Sequence, residues 1–209
     1  AMVGGTGLTA FAEAYPKRFF DVGIAEGCAA SMAAGMAKQG AVPVFAVYST
    51  FLQRSYDMLL HDMAIDGLHV VLAVDRAGLV GEDGETHHGV FDVAYLDSVP
   101  GITVYSPSNF AELDRMLEAA VCRCTGPAAV RYPRGGQGAF TADAGDAPAV
   151  VLRPGADITL AGYGMEINDL LEAADRLEEA GIQAEVVKWN IITPLETETL
   201  IESVRRTGH

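Results

Sequence analysis

Short apolar runs alternate with helical patterns through most of the chain, and this alternation constrains the fold more than any other feature. The run HVVLAVD at 69–75 is apolar at nearly every position, as expected for a strand buried on both faces. Strands that alternate with helices predict an α/β domain with a parallel sheet. The predicted strands are 18–24, 43–49, 69–75, 102–106 and 128–133, and the predicted helices are 26–38, 51–66 and 110–122.

The composition changes after residue 134. Residues 135–154 are rich in glycine, alanine and aspartate without helical periodicity, which predicts a surface linker. A second α/β unit follows, and because it shows only two strands, we expect a partial domain. Its predicted elements are strands at 156–164 and 183–189, a helix at 165–180 and a helix after Pro194. The expected organisation is a first domain at 1–134, a linker at 135–154 and a partial second domain at 155–209.

Charge and cysteine content exclude several classes of protein. Twenty-eight acidic and fourteen basic residues give a net charge of −14, which repels nucleic acids and anionic membranes at long range. No apolar run has transmembrane length, and no signal-peptide pattern is present. Three cysteines favour a reducing, cytoplasmic location, and because Cys122 and Cys124 lack a second ligand pair, we predict no metal site. Both ends of the sequence fall within elements, so we expect a fragment of a longer polypeptide.

Polar residues gather directly after the predicted strands. Ligands bind at the carboxyl ends of the strands of a parallel sheet, so these positions are candidates for a site. The candidates are Glu26, Gly27 and Cys28 after the first strand, Tyr48, Ser49, Thr50, Phe51 and Arg54 after the second, Asp75 and Arg76 after the third, and Arg131 and Arg134 after the fifth.

The loop at 77–92, AGLVGEDGETHHGVFD, is too long for a simple connection, and long structured loops are usually functional. Asp83, His87 and His88 give it groups for acid–base chemistry. The alternative is a polar loop with solvated histidines. The arginines that follow the neighbouring strands favour the functional interpretation.

Each candidate also has a structural interpretation. Glu26 is either a carboxylate stabilised by the helix dipole, which its spacing alone favours, or a buried one that requires a donor. Phe51 is either a core residue, which the pattern favours, or a platform for ring stacking. Arg76, Arg131 and Arg134 are either surface charges or phosphate ligands, since a planar guanidinium suits bidentate phosphate binding.

Four segments together resemble the 1-deoxy-D-xylulose-5-phosphate synthase family, within the transketolase-like, thiamine-diphosphate-dependent enzymes. The segments are DVGIAEGCAASMAAGMA, VYSTFLQRSYDMLLHDMAI, VDRAGLVGEDGETHHGVFD and AAVRYPRG, in this order and spacing. The motifs YSTFLQR-[AS]-YD and DRAG-x-VG-x-DG-x-TH are specific to the synthases rather than to transketolases at large. Residues 1–134 resemble the family's pyrimidine-binding domain, and residues from about 150 onward resemble the start of its C-terminal domain.

The resemblance implies an activity, cofactors and partners. The family condenses pyruvate with glyceraldehyde 3-phosphate, releases carbon dioxide and supplies isoprenoid, thiamine and pyridoxal synthesis. It uses thiamine diphosphate with Mg²⁺, and the metal and the diphosphate are held by a domain that this sequence lacks. The resemblance therefore implies a homodimer in which that diphosphate-binding domain completes the site, and an isolated chain without turnover.

The resemblance also implies roles for individual residues. Glu26 matches the glutamate that hydrogen-bonds N1′ of the cofactor's aminopyrimidine, and Phe51 matches the aromatic residue that stacks on that ring. Asp83 and His87 match pocket residues, and we expect them to handle protons on the substrate oxygens. Tyr48 and Arg54 also match residues that line the substrate pocket, and Arg76 and Arg131 match arginines that hold the acceptor phosphate.

One departure from the family pattern keeps other functions open. The family has Glu-Gln-His after the first strand, whereas this chain has Glu26, Gly27 and Cys28. The alternatives are the C-terminal subunit of a split transketolase or of a 2-oxoacid dehydrogenase E1 component, and a non-catalytic scaffold domain that keeps the fold.

Overall fold

The computed structural model describes residues 3–209, and they form two compact units. Unit 1 comprises the chain up to Ile102 together with Ala120–Arg134, and unit 2 comprises Thr103–Ala119 together with Gly135–His209. Both units combine helices with parallel strands, which confirms the predicted α/β class.

The strands are β1 (Val44–Tyr48), β2 (Val71–Asp75), β3 (Thr103–Tyr105), β4 (Ala128–Tyr132), β5 (Ala149–Arg153), β6 (Ile158–Tyr163), β7 (Ala184–Trp189) and β8 (Ile191–Thr193). The helices are α1 (Thr9–Ala14), α2 (Glu26–Lys38), α3 (Ser49–Leu52), α4 (Tyr56–Met58), α5 (Asp92–Asp97), α6 (Phe110–Cys122), α7 (Glu166–Glu179) and α8 (Glu198–Thr207). Among the described residues, no helix has both the length and the apolar character needed to cross a bilayer.

Unit 1 is built on three parallel strands in the order β1, β2, β4. The central strand β2 is buried at all five positions, in agreement with its continuously apolar sequence. Helix α2 buries a face of alanines, which allows close approach to its neighbours, and the buried alanines are Ala29, Ala30, Ala33 and Ala34. The predicted helix at 51–66 is present as a series of shorter helical pieces, in which α3 and α4 are joined by a 3₁₀ turn and followed by a π-helical turn at Leu59–Ala64.

The predicted strand at 18–24 is wrong. The Asp21 carboxylate accepts a hydrogen bond of 2.9 Å from the Gly23 amide, and Gly23 has a φ of +66°. This local turn interrupts the extended conformation that a strand requires. Phe20 and Ile24 consequently remain exposed.

Unit 2 contains more strands than the sequence predicts. Strand β7 has β6 as a parallel neighbour on one side and β5 as an antiparallel neighbour on the other. Strand β5 lies inside the predicted linker, although four of its five residues are apolar, so the predicted linker is wrong over Ala149–Arg153. Strand β3 corresponds to the strand predicted at 102–106. The short strand β8, which was not predicted, pairs antiparallel with β3. The domain limits at 134 and 155 stay a prediction.

A fully buried ion pair lies within unit 2. The Nζ of Lys188 on β7 is 3.1 Å from the Glu112 carboxylate on α6, and both side chains are completely buried. Lys188 also donates to the Asn190 side chain, while Glu112 accepts from the amides of Ser108 and Ala144. Burial lowers the pKa of Lys188, and the nearby Glu112 charge opposes this shift.

Removing one partner of this pair should be costly. We expect Lys188→Met to lower the free energy of unfolding by about 3–5 kcal/mol, because Glu112 is then left as an unpaired buried charge. The double variant Lys188→Met/Glu112→Gln should recover part of that loss, since it removes the buried charge while its one amide oxygen still accepts from either Ser108 or Ala144. Urea unfolding measures both changes.

The exposed pair between Glu172 and Arg176 on α7 provides the control. Arg176→Met should change the free energy of unfolding by less than about 1 kcal/mol. Equal losses for Lys188→Met and Arg176→Met would contradict a structural role for the buried pair.

Candidate active site

Glu26 is the first residue of α2 and lies almost completely buried, with its side chain 8 % exposed. The first turn of a helix favours a carboxylate, because unpaired amides and the helix dipole present positive charge there. Its Oε1 accepts a hydrogen bond of 3.2 Å from Nη1 of Arg54. Of the two interpretations open from sequence, the structure therefore shows the buried carboxylate with a donor.

Three ring side chains meet at the end of β1. The Tyr48 and Phe51 rings are nearly parallel, with centroids 5.7 Å apart and an interplanar angle of 17°. The His87 imidazole meets Phe51 edge-on at 5.3 Å and lies 6.2 Å from Tyr48. Phe51 is only partly buried, so its ring borders a cavity rather than filling the core.

A cavity of about 230 Å³ lies between these groups. Glu26, Phe51, Tyr48 and Arg54 contribute to its lining, and Val22 and Ile24 add apolar surface. Pockets for drug-sized ligands span about 300–1,000 Å³, so this cavity is suited to a single ring. An aromatic face beside one buried carboxylate is the arrangement that binds a flat heteroaromatic ring carrying an N–H group.

The long loop between β2 and α5 is ordered by its own backbone. Gly78 and Gly89 exchange two N–H···O hydrogen bonds of 2.8 Å, which closes the loop at its base. The Val80 amide donates to Nδ1 of His88, so His88 braces the loop. His87 instead reaches the ring cluster, which separates the roles of the two adjacent histidines.

Arg76 follows β2 and is fixed from several sides. It has a φ of +60°, which is unusual for a residue other than glycine, and its own amide donates to the Asp75 carboxylate at 2.7 Å. The guanidinium donates to Asp75 at 2.6 Å and to Asp83 at 3.2 Å, and it lies 3.9 Å from the centroid of the Tyr48 ring. This interaction over the ring face connects the charged groups to the aromatic cluster.

Burial and the charges around Arg76 raise the pKa values of three groups at this edge. Burial raises the pKa of the Asp75 carboxyl, and the Arg76 charge only partly offsets that rise. Burial alone would lower the pKa of Arg76, but the Asp75 charge and the hydrogen bonds to Asp75 and Asp83 together outweigh it, and the net pKa is raised. Burial likewise raises the pKa of Tyr48, so its hydroxyl stays protonated and remains a hydrogen-bond donor at neutral pH.

Asp83 bridges two arginines. One carboxylate oxygen accepts from Nε of Arg76 at 3.2 Å, and the other accepts from Nη1 of Arg134 at 2.8 Å. Arg134 also donates to Glu82 at 3.0 Å. The Asp83 carboxylate thus shows that this pair of guanidinium groups can hold an oxyanion between them.

Arg131 is placed differently from Arg134. Its guanidinium is buried and donates to the Asp92 carboxylate from Nε at 3.0 Å and from Nη2 at 3.3 Å. The Asp92 carboxylate also accepts a hydrogen bond of 2.8 Å from the Val93 amide in the first turn of α5. Asp92 was not predicted from the sequence as the partner of Arg131. The one available signal was that neighbouring side chains on a strand point to opposite faces, so Arg131 and Tyr132 on β4 have different surroundings.

The structure therefore brings most of the predicted site residues together. Successive pairwise contacts connect seven of them, which are Glu26, Tyr48, Phe51, Arg54, Arg76, Asp83 and His87. Arg134 joins the group through Asp83, while Arg131 pairs with Asp92. Among residues 3–209, no three His, Cys, Asp or Glu side chains are grouped so that they could hold a metal ion.

Comparisons with known families identify the class of protein. The profile of the transketolase pyrimidine-binding domain matches residues 1–137, and that of the transketolase C-terminal domain matches residues 147–209. A solved structure titled "Split gene transketolase, inactive beta4 tetramer" aligns with 100 % of this chain and 69 % of its own, at 31 % identity and a TM-score of 0.86. Fold and site thus define an α/β pyrimidine-binding unit of the transketolase type, and the chain belongs to the transketolase family.

Curated relatives give a finer comparison. The chain is 50 % identical over 214 residues to the 1-deoxy-D-xylulose-5-phosphate synthase of Gloeobacter violaceus and 49 % identical to that of Chlorobaculum tepidum. Both alignments include 100 % of this chain but 34 % of the relative, so the chain spans about a third of their length. The transketolase of Campylobacter jejuni, at 22 % identity and a TM-score of 0.78, shares the fold.

The base of the loop tolerates no side chain at Gly89. A Cβ there would lie 2.2 Å from the Arg76 carbonyl oxygen and 2.4 Å from the Ser49 hydroxyl. We expect Gly89→Ala to displace the loop and to lower the free energy of unfolding by about 1–3 kcal/mol. Hydrogen exchange of residues 77–91 measures the displacement.

Gly81→Ala provides the matched control, because open space surrounds that glycine and its φ is not positive. Its exchange pattern should equal that of the parent protein. A Gly89→Ala variant with unchanged exchange in the loop would show that the close approach is not needed.

Proposed function

We propose that this chain supplies the pyrimidine-binding side of a 1-deoxy-D-xylulose-5-phosphate synthase, which condenses pyruvate with glyceraldehyde 3-phosphate and releases carbon dioxide. The observation that carries the proposal is the buried Glu26 carboxylate at the edge of a ring-sized cavity bordered by Phe51. The identity of about half the residues with synthases over the whole chain supports the substrate class.

The residues present fit the aminopyrimidine of thiamine diphosphate. When bound, that cofactor supplies the electron sink for breaking and forming carbon–carbon bonds. Glu26 holds a proton at N1′ of the ring, and this contact favours the imino tautomer, whose exocyclic nitrogen accepts a proton. Phe51 offers its face for stacking, which fixes the plane of the ring.

The charged groups beyond the aromatic cluster are suited to the substrates. We expect Asp83 and His87 to hold protons on donor and acceptor oxygens, and Tyr48 and Arg54 to line the substrate side. Arg76 and Arg131 are the predicted ligands of the acceptor phosphate. The shared Asp83 contact supports Arg134 as an additional ligand beside Arg76, and the pairing of Arg131 with Asp92 is suited to holding β4 and α5 together.

The proposed function includes partners outside this chain. A diphosphate-binding domain completes the site and holds Mg²⁺ with the cofactor's diphosphate. We further propose a homodimer that works in the cytoplasm, which agrees with the acidic composition and the low cysteine content.

Glu26→Gln tests the proposal. With the diphosphate-binding domain supplied, the variant should lose at least about 100-fold in kcat, because an amide cannot carry the proton that a carboxylate carries. Formation of 1-deoxy-D-xylulose 5-phosphate from the two substrates is the measurement. The chain assayed alone should form no product.

Glu13→Gln is the matched control, because Glu13 is an exposed glutamate on α1 in the same unit. It should retain the parent kcat. If the parent complex were no more active than Glu26→Gln, the non-catalytic scaffold would be the better interpretation.

A second candidate is a subunit of a split transketolase. It is supported by the solved split-gene transketolase, which aligns with the whole of this chain. The donor substrate separates the two candidates in the completed enzyme, since the synthase uses pyruvate and a transketolase uses a ketose phosphate. Turnover of a ketose phosphate without turnover of pyruvate would favour the transketolase.

A further inference from the structure

Arg54 contacts both groups expected to hold the cofactor's ring. Its Nη1 donates to the Glu26 carboxylate at 3.2 Å, and its Cζ lies 5.1 Å from the centroid of the Phe51 ring. Among residues 3–209, Arg54 is the one side chain that donates to Glu26. The family resemblance implies instead that Arg54 lines the substrate pocket.

The groups expected to hold the phosphate form a separate cluster. Asp75, Arg76, Asp83 and Arg134 are joined by consecutive ion pairs. Arg54 makes no ion pair with these four residues in the described part of the chain. Its contacts therefore associate it with the ring-binding side of the pocket.

The local structure explains how Arg54 reaches both groups. Phe51 lies in α3, and Arg54 follows three residues later in the adjoining 3₁₀ turn, so the two side chains lie on one face. A carboxylate rotates freely unless a donor fixes it, and a planar guanidinium fixes the direction of its lone pairs. The same guanidinium restricts the Phe51 ring by lying near its face.

Because the Arg54 side chain is largely exposed, its effect on cofactor binding can be measured without a large effect on folding. Its side chain is 58 % exposed, so water screens its ion pair with Glu26 and the pair contributes less to stability than a fully buried one. A substitution at Arg54 should leave the fold intact and change only how well Glu26 and Phe51 are oriented.

We propose that Arg54 is a positioning residue for the ring-binding side of the site: it orients the Glu26 carboxylate and the Phe51 ring for the aminopyrimidine. This inference rests on the proposed function. It moves Arg54 from the substrate pocket to the cofactor ring.

The test measures the Kd of thiamine diphosphate with Mg²⁺ by calorimetry, in the chain completed by its diphosphate-binding domain. Arg54→Met keeps the apolar stem and removes the guanidinium, and it should raise the Kd about tenfold. Arg54→Lys keeps the charge without the planar fork, and it should raise the Kd about threefold. Arg18→Met, an exposed arginine of the same unit, should leave the Kd unchanged.

A second measurement separates the ring side from the phosphate side. The ratio of kcat/KM for glyceraldehyde 3-phosphate to that for unphosphorylated glyceraldehyde reports contacts to the phosphate. Arg54→Met should leave this ratio unchanged, whereas Arg76→Met should lower it.

An unchanged or lower Kd in Arg54→Met would overturn the inference, and so would a fall in the substrate ratio without a change in Kd. Loss of the folded state in Arg54→Met, seen by circular dichroism, would also contradict it, because the exposed ion pair is expected to leave folding intact. A parent protein that binds no thiamine diphosphate would instead contradict the proposed function itself.

Discussion

The parallel register of β1, β2 and β4 is the constraint on which the candidate site depends. Tyr48 at the end of β1 pairs with Asp75 at the end of β2, and Asp75 pairs with Tyr132 at the end of β4. Because the three strands run in one direction and end at one level, the residues that follow them emerge at the same edge. A register shift of one residue would move these side chains to the opposite face of the sheet.

The charges at this edge are balanced locally, although the chain as a whole carries −14. Each guanidinium near the cavity has a carboxylate partner, with Glu26 beside Arg54 and Asp83 between Arg76 and Arg134. The burial of Asp75 requires such a donor, which Arg76 supplies, since an unpaired buried charge is costly. The arginines are consequently held in defined directions before any substrate arrives, and this pre-organisation reduces the entropy lost on binding.

The sequence predicted the elements of unit 1 where the apolar pattern is long, and it was wrong where local hydrogen bonds compete. Helix α2 and strands β1, β2 and β4 follow from their periodicity, whereas the Asp21 to Gly23 turn replaces a predicted strand. Strand β5 was missed although its sequence AVVLR is a short apolar run, because the surrounding glycine, alanine and aspartate residues indicate a linker; its pairing with β7, more than thirty residues away along the chain, is decided by the tertiary structure. The buried pair of Lys188 and Glu112 was missed for the same reason, since charged residues predict exposure unless their distant partner is known.

By itself, the sequence determined the α/β class, the position of the long loop and the types of residue at the ends of the strands, because these follow from local periodicity and from the topology of parallel sheets. Only the tertiary structure decided the partners of those residues. It placed Arg54 on Glu26 and Phe51, Arg134 on Asp83, and Arg131 on Asp92. The physical reason is that a long arginine side chain reaches whichever buried carboxylate lies within hydrogen-bond distance, and distances between groups far apart in the chain are set by packing.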